Sequence, residues 1–444
     1  MMNTTIKYRQ AHVKGGVRLI NEKITAIENI NVHTIPTNKY KTNTLVWKMK
    51  APLANETVTL RALLPYVLQS GTAEHPSVKQ LRTYLDELYG ATLNVDLAKK
   101  GESHIITIRI DVANEVFLQE KMPLLRNAVK LLSDIVLRPA LQDGRFVERI
   151  VEQEKRALKQ RIQAVYDDKI RYANLRLIQE MCKGEPYALH ANGELDDVDR
   201  IAAEELFQYY QKTLQEDEID LYVIGDVQEE TVLEAVASHF SLPNRTVRAS
   251  TEETVSSKTR DKVNEVIEKQ DIKQGKLNIG YRTNVTYEDD DYYALQMFNG
   301  IFGGFSHSKL FMNVREKASL AYYAASRLES HKGLLIVTSG IEPANYQKAL
   351  QIIEKQMEAM KNGDITDEEI AQTKAVIRNQ LLETIDTPRG LVEVLYHNVV
   401  AKRKRSIEEW LSGTDRVSRE EIVRVAGKVE LDTIYFLTGM EGTE

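Results

Sequence analysis

A helical pattern of apolar positions runs through residues 59–72. Its apolar residues recur at i, i+3, i+4, i+7 and i+8, which is the spacing of one face of an amphipathic helix. These residues are Leu60, Leu63, Leu64, Val67 and Leu68. The same spacing predicts helices over 116–137, 146–162 and 368–385, whereas alternation over 104–111 predicts a strand. The chain is therefore expected to mix helices with strands.

The order of the predicted elements is repeated along the chain. A short apolar strand that begins at Asp220 and another that begins at Asp432 each follow a charged helical segment. The segment 241–258 is rich in Ser, Thr, Asn, Arg and Glu, as expected of a linker. These patterns predict an α+β fold with two homologous domains, each a mostly antiparallel sheet with helices packed on one face. The predicted boundaries are 1–240 for the N-terminal domain, 241–262 for the linker and 263–444 for the C-terminal domain.

Composition argues against several classes of function. The 444 residues are 42% hydrophobic and 28% charged, which is ordinary for a globular protein of more than one domain. A net charge of −6 gives no global basic field for nucleic acid or an anionic membrane, and the basic run at 402–405 is expected to be a solvated surface. No stretch reaches the roughly 18 apolar residues of a membrane span. Residues 1–16 lack the apolar core of a secretory signal, and Cys182 is the only cysteine. We therefore expect a cytoplasmic protein without nucleic-acid or membrane partners.

Several segments resemble the pitrilysin/insulinase family of zinc peptidases. They are the helix at 59–72, the Glu185-Pro186-Tyr187 turn, the strand at 220–226 and the segment from Gly303 to Tyr322. The last segment is the most specific, because it matches a main signature of the family's second domain at several residues. The resemblance covers nearly the whole chain. It implies two α+β domains that face each other like a clamshell, forming a chamber together with a similar pair.

The resemblance also implies that the metal site of the family is degenerate here. The family carries H-x-x-E-H, which supplies two zinc ligands and a general base, on the helix that ends at Gly71-Thr72. Those positions are Ala62, Pro65 and Tyr66 in this chain. An alanine has no donor atom, a proline cannot accept a proton from water, and a phenol stays protonated near neutral pH. No metal is therefore expected to bind at these positions.

The family's third zinc ligand is a Glu on a later helix. The segment 146–162 of this chain resembles that helix. The best alignment places Arg161 at that position, with Glu148, Glu152 and Glu154 nearby. The alternative interpretation of this segment is a solvated helix whose charges are spaced for i,i+4 pairs. In either case, a single carboxylate without two histidine partners would not hold a catalytic zinc ion.

Two further features bear on metal binding. The pentapeptide Gly71–His75 reads G-x-x-E-H, but Pro76 follows it and predicts a turn. No two of the nine histidines have the i,i+3 or i,i+4 spacing that would place both on one helical turn. A site assembled from distant residues stays open at this point.

The resemblance assigns a substrate-binding role to Arg315 and Tyr322, which occupy the positions of the family's Arg/Tyr pair. A guanidinium and a phenol can both donate hydrogen bonds to a peptide carbonyl or to its developing oxyanion. The alternative is structural: Arg315 would pair with Glu316 or another carboxylate, and Tyr322 would pack in the core. Phosphate binding by the glycines at 300–304 is disfavoured, because neither the P-loop nor the Rossmann pattern is present.

These observations lead to one main hypothesis and two alternatives. The main hypothesis is a subunit without peptidase activity that binds peptide and completes the chamber of a heteromeric zinc peptidase. The resemblance implies this by analogy with some small bacterial and mitochondrial processing peptidases, in which zinc and substrate binding fall on different chains. The zinc and H-x-x-E-H would then lie on a homologous partner subunit. The first alternative is a structural or scaffold protein of the same fold, and the second is an active metallopeptidase with atypical ligands. The peptide substrate and the partner are not identified by the sequence.

Overall fold

The computed structural model describes residues 20–119, 122–243, 245–246 and 262–440. Within these ranges the strands are β1 Lys23–Ile27, β2 Ile30–Pro36, β3 Thr42–Pro52, β4 Thr92–Lys100, β5 Ser103–Ala113, β6 Leu141–Gln142, β7 Arg145–Phe146, β8 Glu218–Gly225, β9 Asn264–Gln270, β10 Gly275–Arg282, β11 Ala321–Glu329, β12 Leu334–Ile341 and β13 Glu430–Gly439. The helices are α1 Val58–Leu68, α2 Val78–Glu87, α3 Leu124–Leu137, α4 Glu148–Asp167, α5 Lys169–Met181, α6 Leu195–Val198, α7 Ala203–Glu216, α8 Glu229–His239, α9 Tyr292–Asn299, α10 Tyr346–Lys361, α11 Asp367–Thr384, α12 Pro388–Val400, α13 Ile407–Arg416 and α14 Arg419–Lys428. None of the helices in the described ranges is both long enough and apolar enough to cross a lipid bilayer.

The first sheet belongs to the N-terminal half of the chain and contains six strands in the order β1-β2-β8-β3-β5-β4. All neighbours are antiparallel except β2 and β8, which run parallel. Alternation along β5 turns Ile106, Ile108 and Ile110 towards one face, where they are fully buried. Helices α1, α3, α4, α7 and α8 contribute to the same core. The strand predicted over 104–111 is confirmed.

The second sheet belongs to the C-terminal half and contains five strands in the order β11-β12-β10-β13-β9. Only the β13–β9 pair is parallel. Leu277 and Ile279 of β10 point into a core that is completed by helices α9, α10, α11 and α14. The strand predicted to begin at Asp432 lies within β13, which begins two residues earlier, at Glu430. Two antiparallel-rich sheets with packed helices confirm the predicted α+β fold class, although the helices are not confined to one face of each sheet.

The second face of each sheet is covered by a helix from the other half of the chain. Helix α5 lies between α4 and α6 of the first half in sequence, but its residues Leu177 and Met181 pack on Ile336 and Tyr435 of the second sheet. A Cβ atom at Gly280 would lie 2.5 Å from the sulfur of Met181, so glycine allows α5 to approach β10 closely. This face of the second sheet is thus buried by a helix whose neighbours in sequence belong to the first half of the chain.

Helix α12 makes the reciprocal exchange. Its residues Leu391 and Tyr396 pack on Val46, Tyr222 and Ile224 of the first sheet. Because both exchanges bury apolar side chains, the two halves of the chain share parts of their cores.

Buried ion pairs also join the halves. Arg282 of β10 contacts Glu185 at 2.7 Å and Asp432 at 3.1 Å. Lys332 contacts the same Glu185 at 2.8 Å. Burial alone would raise the pKa of Glu185, but the hydrogen bonds from Arg282 and Lys332 outweigh it and lower the pKa. The pairs of Glu185 with Arg282 and Lys332 therefore stay charged near neutral pH.

One predicted helix differs from the structure. The helix predicted over 116–137 begins only at Leu124, because Pro123 precedes it and Glu115–Phe117 forms a separate 3₁₀ turn. Helix α9 ends at Asn299, and the chain continues from it as a π-helical turn, Gly300–Gly304. Most of the predicted linker, namely residue 244 and residues 247–261, lies outside the described residues, as do residues 1–19. The domain boundaries stay a prediction.

Candidate functional site

Helix α1 carries the positions of the degenerate metal motif, and a buried arginine fixes it to the first sheet. Arg61 donates a hydrogen bond from Nη2 to the carbonyl of Met49 at 2.7 Å, and from Nε to the carbonyl of His104 at 3.1 Å. These carbonyls belong to β3 and β5. Its Nη1 lies 2.7 Å from Oδ2 of Asp217. The helix therefore has a fixed position relative to both strands.

The Arg61–Asp217 pair is buried on both sides. Burial raises the pKa of Asp217 to about 6, against the attraction of the guanidinium. Burial also disfavours charge on Arg61, but the facing carboxylate and Tyr209 outweigh it, so the pKa of Arg61 is raised. Both groups are thus charged at neutral pH. The sequence signal that could have identified this pair is an arginine inside an otherwise apolar stretch of helix.

The three motif positions lie along α1 and cannot bind a metal ion. Ala62 and Pro65 are buried, and Tyr66 is half-buried. The guanidinium of Arg161, on α4, lies over the Tyr66 ring with its Cζ 3.6 Å from the ring centroid. Burial raises the pKa of Tyr66, so the phenol stays protonated. A methyl group, a pyrrolidine ring, a neutral phenol and a cation do not fit a zinc ion, which needs several nitrogen, sulfur or carboxylate ligands.

The neighbouring carboxylates of α4 do not supply the missing ligands. Glu148 is exposed, and Glu152 pairs with Lys155 at 2.7 Å. Glu154 is buried and accepts hydrogen bonds from Ser70 and Gln153, both at 3.3 Å. Across the described residues no group of three or more His, Cys, Asp or Glu side chains could hold a metal ion.

The Gly71–His75 pentapeptide forms a turn after α1, as its glycine and the following proline predict. Glu74 pairs with Lys130 on α3. The His75 ring stacks on Tyr84 with 4.4 Å between the ring centroids. The two side chains of the apparent E-H motif are therefore engaged separately, on different neighbours.

One pair of histidines meets where α12 passes the turn between β11 and β12. Nε2 of His331 lies 2.7 Å from Nδ1 of His397, and both rings stack near Tyr287. Burial lowers the pKa of His331 to about 2 and that of His397 to about 3. Since both are neutral at physiological pH, the N–H of one ring donates a hydrogen bond to the unprotonated nitrogen of the other.

The two residues of the predicted substrate pair lie on adjoining elements of the second half. Arg315 is in the π-helical turn Phe311–Lys317, with Cζ 4.6 Å from the Phe311 ring centroid and Nε 3.6 Å from Oε1 of Glu316. Tyr322 is at the start of β11, where the pairing with β12 shifts by one residue, and is 67% exposed. A bulge of this kind can turn a side chain out of the sheet. Tyr322 therefore does not pack in the core, and Arg315 is exposed beside a carboxylate.

Each sheet has two edge strands that pair with one neighbour only among the described strands, and one of the two lies near a candidate position. Strand β4 pairs with β5, and β11 pairs with β12. Helix α1 packs against β4, and the turn containing Arg315 packs against β11. The backbone groups of such edges can accept an extended peptide as an additional strand. The degenerate motif and the Arg315–Tyr322 region thus each adjoin an edge strand.

Comparison with known proteins gives consistent matches. Residues 200–377 match the family described as the peptidase M16 inactive domain. The probable inactive metalloprotease YmfF of Bacillus subtilis (strain 168) is 55% identical over 423 residues, which make up 95% of this chain and 99% of YmfF. The antilisterial bacteriocin subtilosin biosynthesis protein AlbE of Bacillus subtilis is 26% identical over 148 residues, 33% of this chain and 37% of AlbE. A crystal structure of a conserved protein from Enterococcus faecalis V583 has a TM-score of 0.89 and 34% identity, covering 96% of this chain and all of that one.

Proposed function

Because the chain belongs to the peptidase M16 (pitrilysin/insulinase) family but lacks its metal ligands, we propose that it is the peptide-binding, non-catalytic subunit of a heteromeric zinc peptidase. The partner is a homologous subunit that carries H-x-x-E-H and binds the zinc ion. This chain completes the chamber and holds the peptide through Arg315 and Tyr322. The absence of a membrane-spanning helix in the described ranges and the single cysteine agree with a cytoplasmic location.

The observation that carries the proposal is an asymmetry between the two halves. In the N-terminal half, the motif positions are buried or stacked and have no metal-binding chemistry. In the C-terminal half, Arg315 and Tyr322 keep exposed donor groups next to the edge strand β11. Because both side chains are exposed, neither packs the core, and both are available to contact a ligand. Binding of a peptide backbone would use both donors.

The experiment combines this chain with the homologue of similar length from its host that carries H-x-x-E-H. Cleavage of a quenched fluorescent peptide is measured for the partner alone, for the mixture, and for mixtures with Arg315→Ala or Tyr322→Phe. We expect cleavage to require both chains. Loss of a donor that contacts the developing oxyanion should lower kcat/KM by about 100-fold for Arg315→Ala.

Lys317→Ala is the matched control, since Lys317 is an exposed cation in the same π-helical turn. It should leave kcat/KM unchanged. If no complex forms, the proposal of a heteromeric peptidase is wrong. If the complex forms and cleaves equally well with Arg315→Ala and Tyr322→Phe, the chain has a scaffold role instead.

A further inference from the structure

Strand β9 is an open edge of the second sheet, whereas its counterpart in the first sheet is covered. In each half the last strand of the sheet pairs in parallel with an early strand: β8 with β2, and β13 with β9. On its other side β2 pairs with β1, in antiparallel orientation. Strand β9 has β13 as its single neighbour among the described strands. The first sheet shows that this edge of the fold can hold an antiparallel strand, and an unpaired edge is a template for one.

Alternation along β9 exposes a small set of side chains on one face of this edge. Val266 and Glu268 point towards α5, where Val266 packs with the helix and Glu268 accepts hydrogen bonds from it. Glu265, Ile267 and Lys269 lie on the other face and are all exposed. Ile267 is 53% exposed, which is unusual for an isoleucine in a strand. The edge thus presents an isoleucine between an acid and a base.

This pattern is complementary to itself. When two copies of β9 lie antiparallel about a two-fold axis at Ile267, each isoleucine faces its own copy. Glu265 of each strand then faces Lys269 of the other, and opposite charges across an antiparallel pair are stabilising. Moving the axis to Glu268 would place two Glu268 carboxylates opposite each other, whereas moving it to Val266 would place Glu265 opposite Ile267. The charges therefore select one register of pairing.

The contacts of these side chains within the chain are compatible with the pairing. Glu265 accepts a hydrogen bond from Tyr346 at 2.5 Å, and Lys269 also has a contact within its own chain. A carboxylate has two acceptor oxygens and an ammonium group has three donor hydrogens, so each can take a further partner. Glu268 would lie opposite Val266 and keeps its two tyrosine hydroxyl donors. The pairing therefore adds contacts without breaking those of the single chain.

We propose that a second copy of this chain binds at β9 through its own β9, in antiparallel orientation about a two-fold axis at Ile267. The two five-stranded sheets then join into one continuous sheet. A two-fold interface uses the same surface on both copies, so a self-complementary edge favours a second copy over an unrelated strand. The opposite edge of this sheet, β11, stays open in the dimer. The inference therefore goes beyond the proposed function and does not depend on it.

Sedimentation equilibrium of the full-length chain alone tests the dimer. We expect a reversible equilibrium between monomer and dimer, which Ile267→Lys weakens about tenfold by placing two like charges at the axis. Ile24→Lys is the matched control, since Ile24 is 51% exposed on β1, the corresponding edge strand of the first sheet. It should leave the dissociation constant unchanged. A monomer at all concentrations, or equal weakening by the two variants, would overturn the proposal.

Charge reversal tests the register of the two strands. Glu265→Lys and Lys269→Glu each place like charges opposite each other on both sides of the axis, and each should weaken the dimer about tenfold. The double variant restores opposite charges and should recover most of the affinity. Circular dichroism confirms that all three variants are folded. A double variant that is no better than the single ones would contradict the proposed pairing.

The alternative occupant of this edge is a strand of the H-x-x-E-H-bearing partner. The chain would then be monomeric alone, and Ile267→Lys would weaken the heteromeric complex; that result overturns the pairing of two copies. We expect instead that Ile267→Lys leaves partner-dependent peptide cleavage unchanged, because β9 and β11 are opposite edges of the sheet. A dimer of this chain without partner-dependent cleavage would reject the heteromeric peptidase alone.

Discussion

Arg61 holds α1 against the first sheet while its charge is fully buried. Two backbone carbonyls and Asp217 surround the guanidinium, and the adjacent position Ala62 is packed in the core. One turn further along α1, Tyr66 stacks with Arg161 of α4, at positions where the family has metal ligands. At the residue scale, the helix that carries the chemistry in related peptidases is here stabilised by a buried ion pair and a cation–π contact.

Replacing Arg61 by Met should destabilise the protein strongly. The substitution leaves Asp217 buried without its counter-charge, and breaking a buried pair in this way typically costs about 3–5 kcal/mol. Urea-induced unfolding followed by circular dichroism measures the loss. Arg61→Met combined with Asp217→Leu should recover much of it, because both charges are then removed.

The exposed pair of Arg419 and Asp367 provides the control for that experiment. Arg419→Met should cost far less, since solvent screens the pair. Equal losses for Arg61→Met and Arg419→Met would show that the buried pair does not stabilise α1.

His33 gives a pH dependence whose sign follows from its partners. The ring lies between Glu22, at 2.7 Å from Nδ1, and Asp220, at 3.1 Å from Nε2. Burial disfavours protonation, but the hydrogen bonds to Asp220 and Glu22 outweigh it and raise the pKa of His33. Its contribution to stability is therefore fully present below a pH of about 6.5 and is lost as the pH rises through the folded-state pKa.

The measurement compares the free energy of unfolding of the wild type and His33→Gln between about pH 5.5 and pH 9. The difference in the free energy of unfolding should be largest at the acidic end of this range and should decrease as the pH rises. His239 serves as a control of opposite sign, because burial and Arg126 lower its pKa. His239→Gln should remove a contribution to the free energy of unfolding that is present at high pH and is lost as the pH falls. A pH-independent difference for His33→Gln would contradict the assignment.

At the scale of elements, strands with continuous apolar runs could be predicted from the sequence, and contacts between distant elements could not. The strand at 220–226 was identified because its apolar run is bounded by charged residues and glycine. The start of α3 was missed because apolar residues before Pro123 continue the helical spacing although they form a 3₁₀ turn. The position of Arg161 followed from the family alignment, but its stack on Tyr66 depends on how α4 packs on α1.

The turn between β4 and β5 shows how glycine serves a contact between the halves. Gly101 has φ +54°, and a Cβ atom there would lie 3.1 Å from the Cβ of His331 in the turn between β11 and β12. Its backbone N–H donates to Oε1 of Glu329 at 3.2 Å. Gly101→Ala should therefore combine backbone strain with a steric clash between the two turns.

Gly144 is the matched control for Gly101, because it has φ +76° and a Cβ atom added there would meet no other atom within 4 Å. Gly144→Ala should cost only the backbone strain of a left-handed residue, about 1 kcal/mol. Gly101→Ala should cost about 1 kcal/mol more, as an overpacked contact does. The midpoints of denaturant unfolding of the two variants measure these losses of stability. Equal losses would mean that the two turns can move apart without a cost in free energy.

At the scale of the whole molecule, the exchanged helices α5 and α12 determine how the chain is organised. Each has an apolar face, and the sequence indicates that this face is buried but not against which sheet. In the structure α5 covers the second sheet and α12 covers the first. Two homologous units could be predicted from the repeated order of elements. The dependence of each unit on a helix of the other could not be predicted, because it arises from packing between residues far apart in sequence.

Separating the halves within the predicted linker should therefore leave neither half stably folded. A fragment of residues 1–246 would expose the α5 face around Leu177 and leave Tyr222 of the first sheet uncovered, and exposed apolar patches of this kind favour association. We expect neither fragment alone to unfold cooperatively, and co-expressed fragments 1–246 and 262–444 to form a complex that does. Leu391→Asp in the second fragment should prevent the complex, since Leu391 packs on the first sheet. Cooperative unfolding of either fragment alone, measured by calorimetry, would show that the exchanged helices are dispensable and that the halves are independent domains.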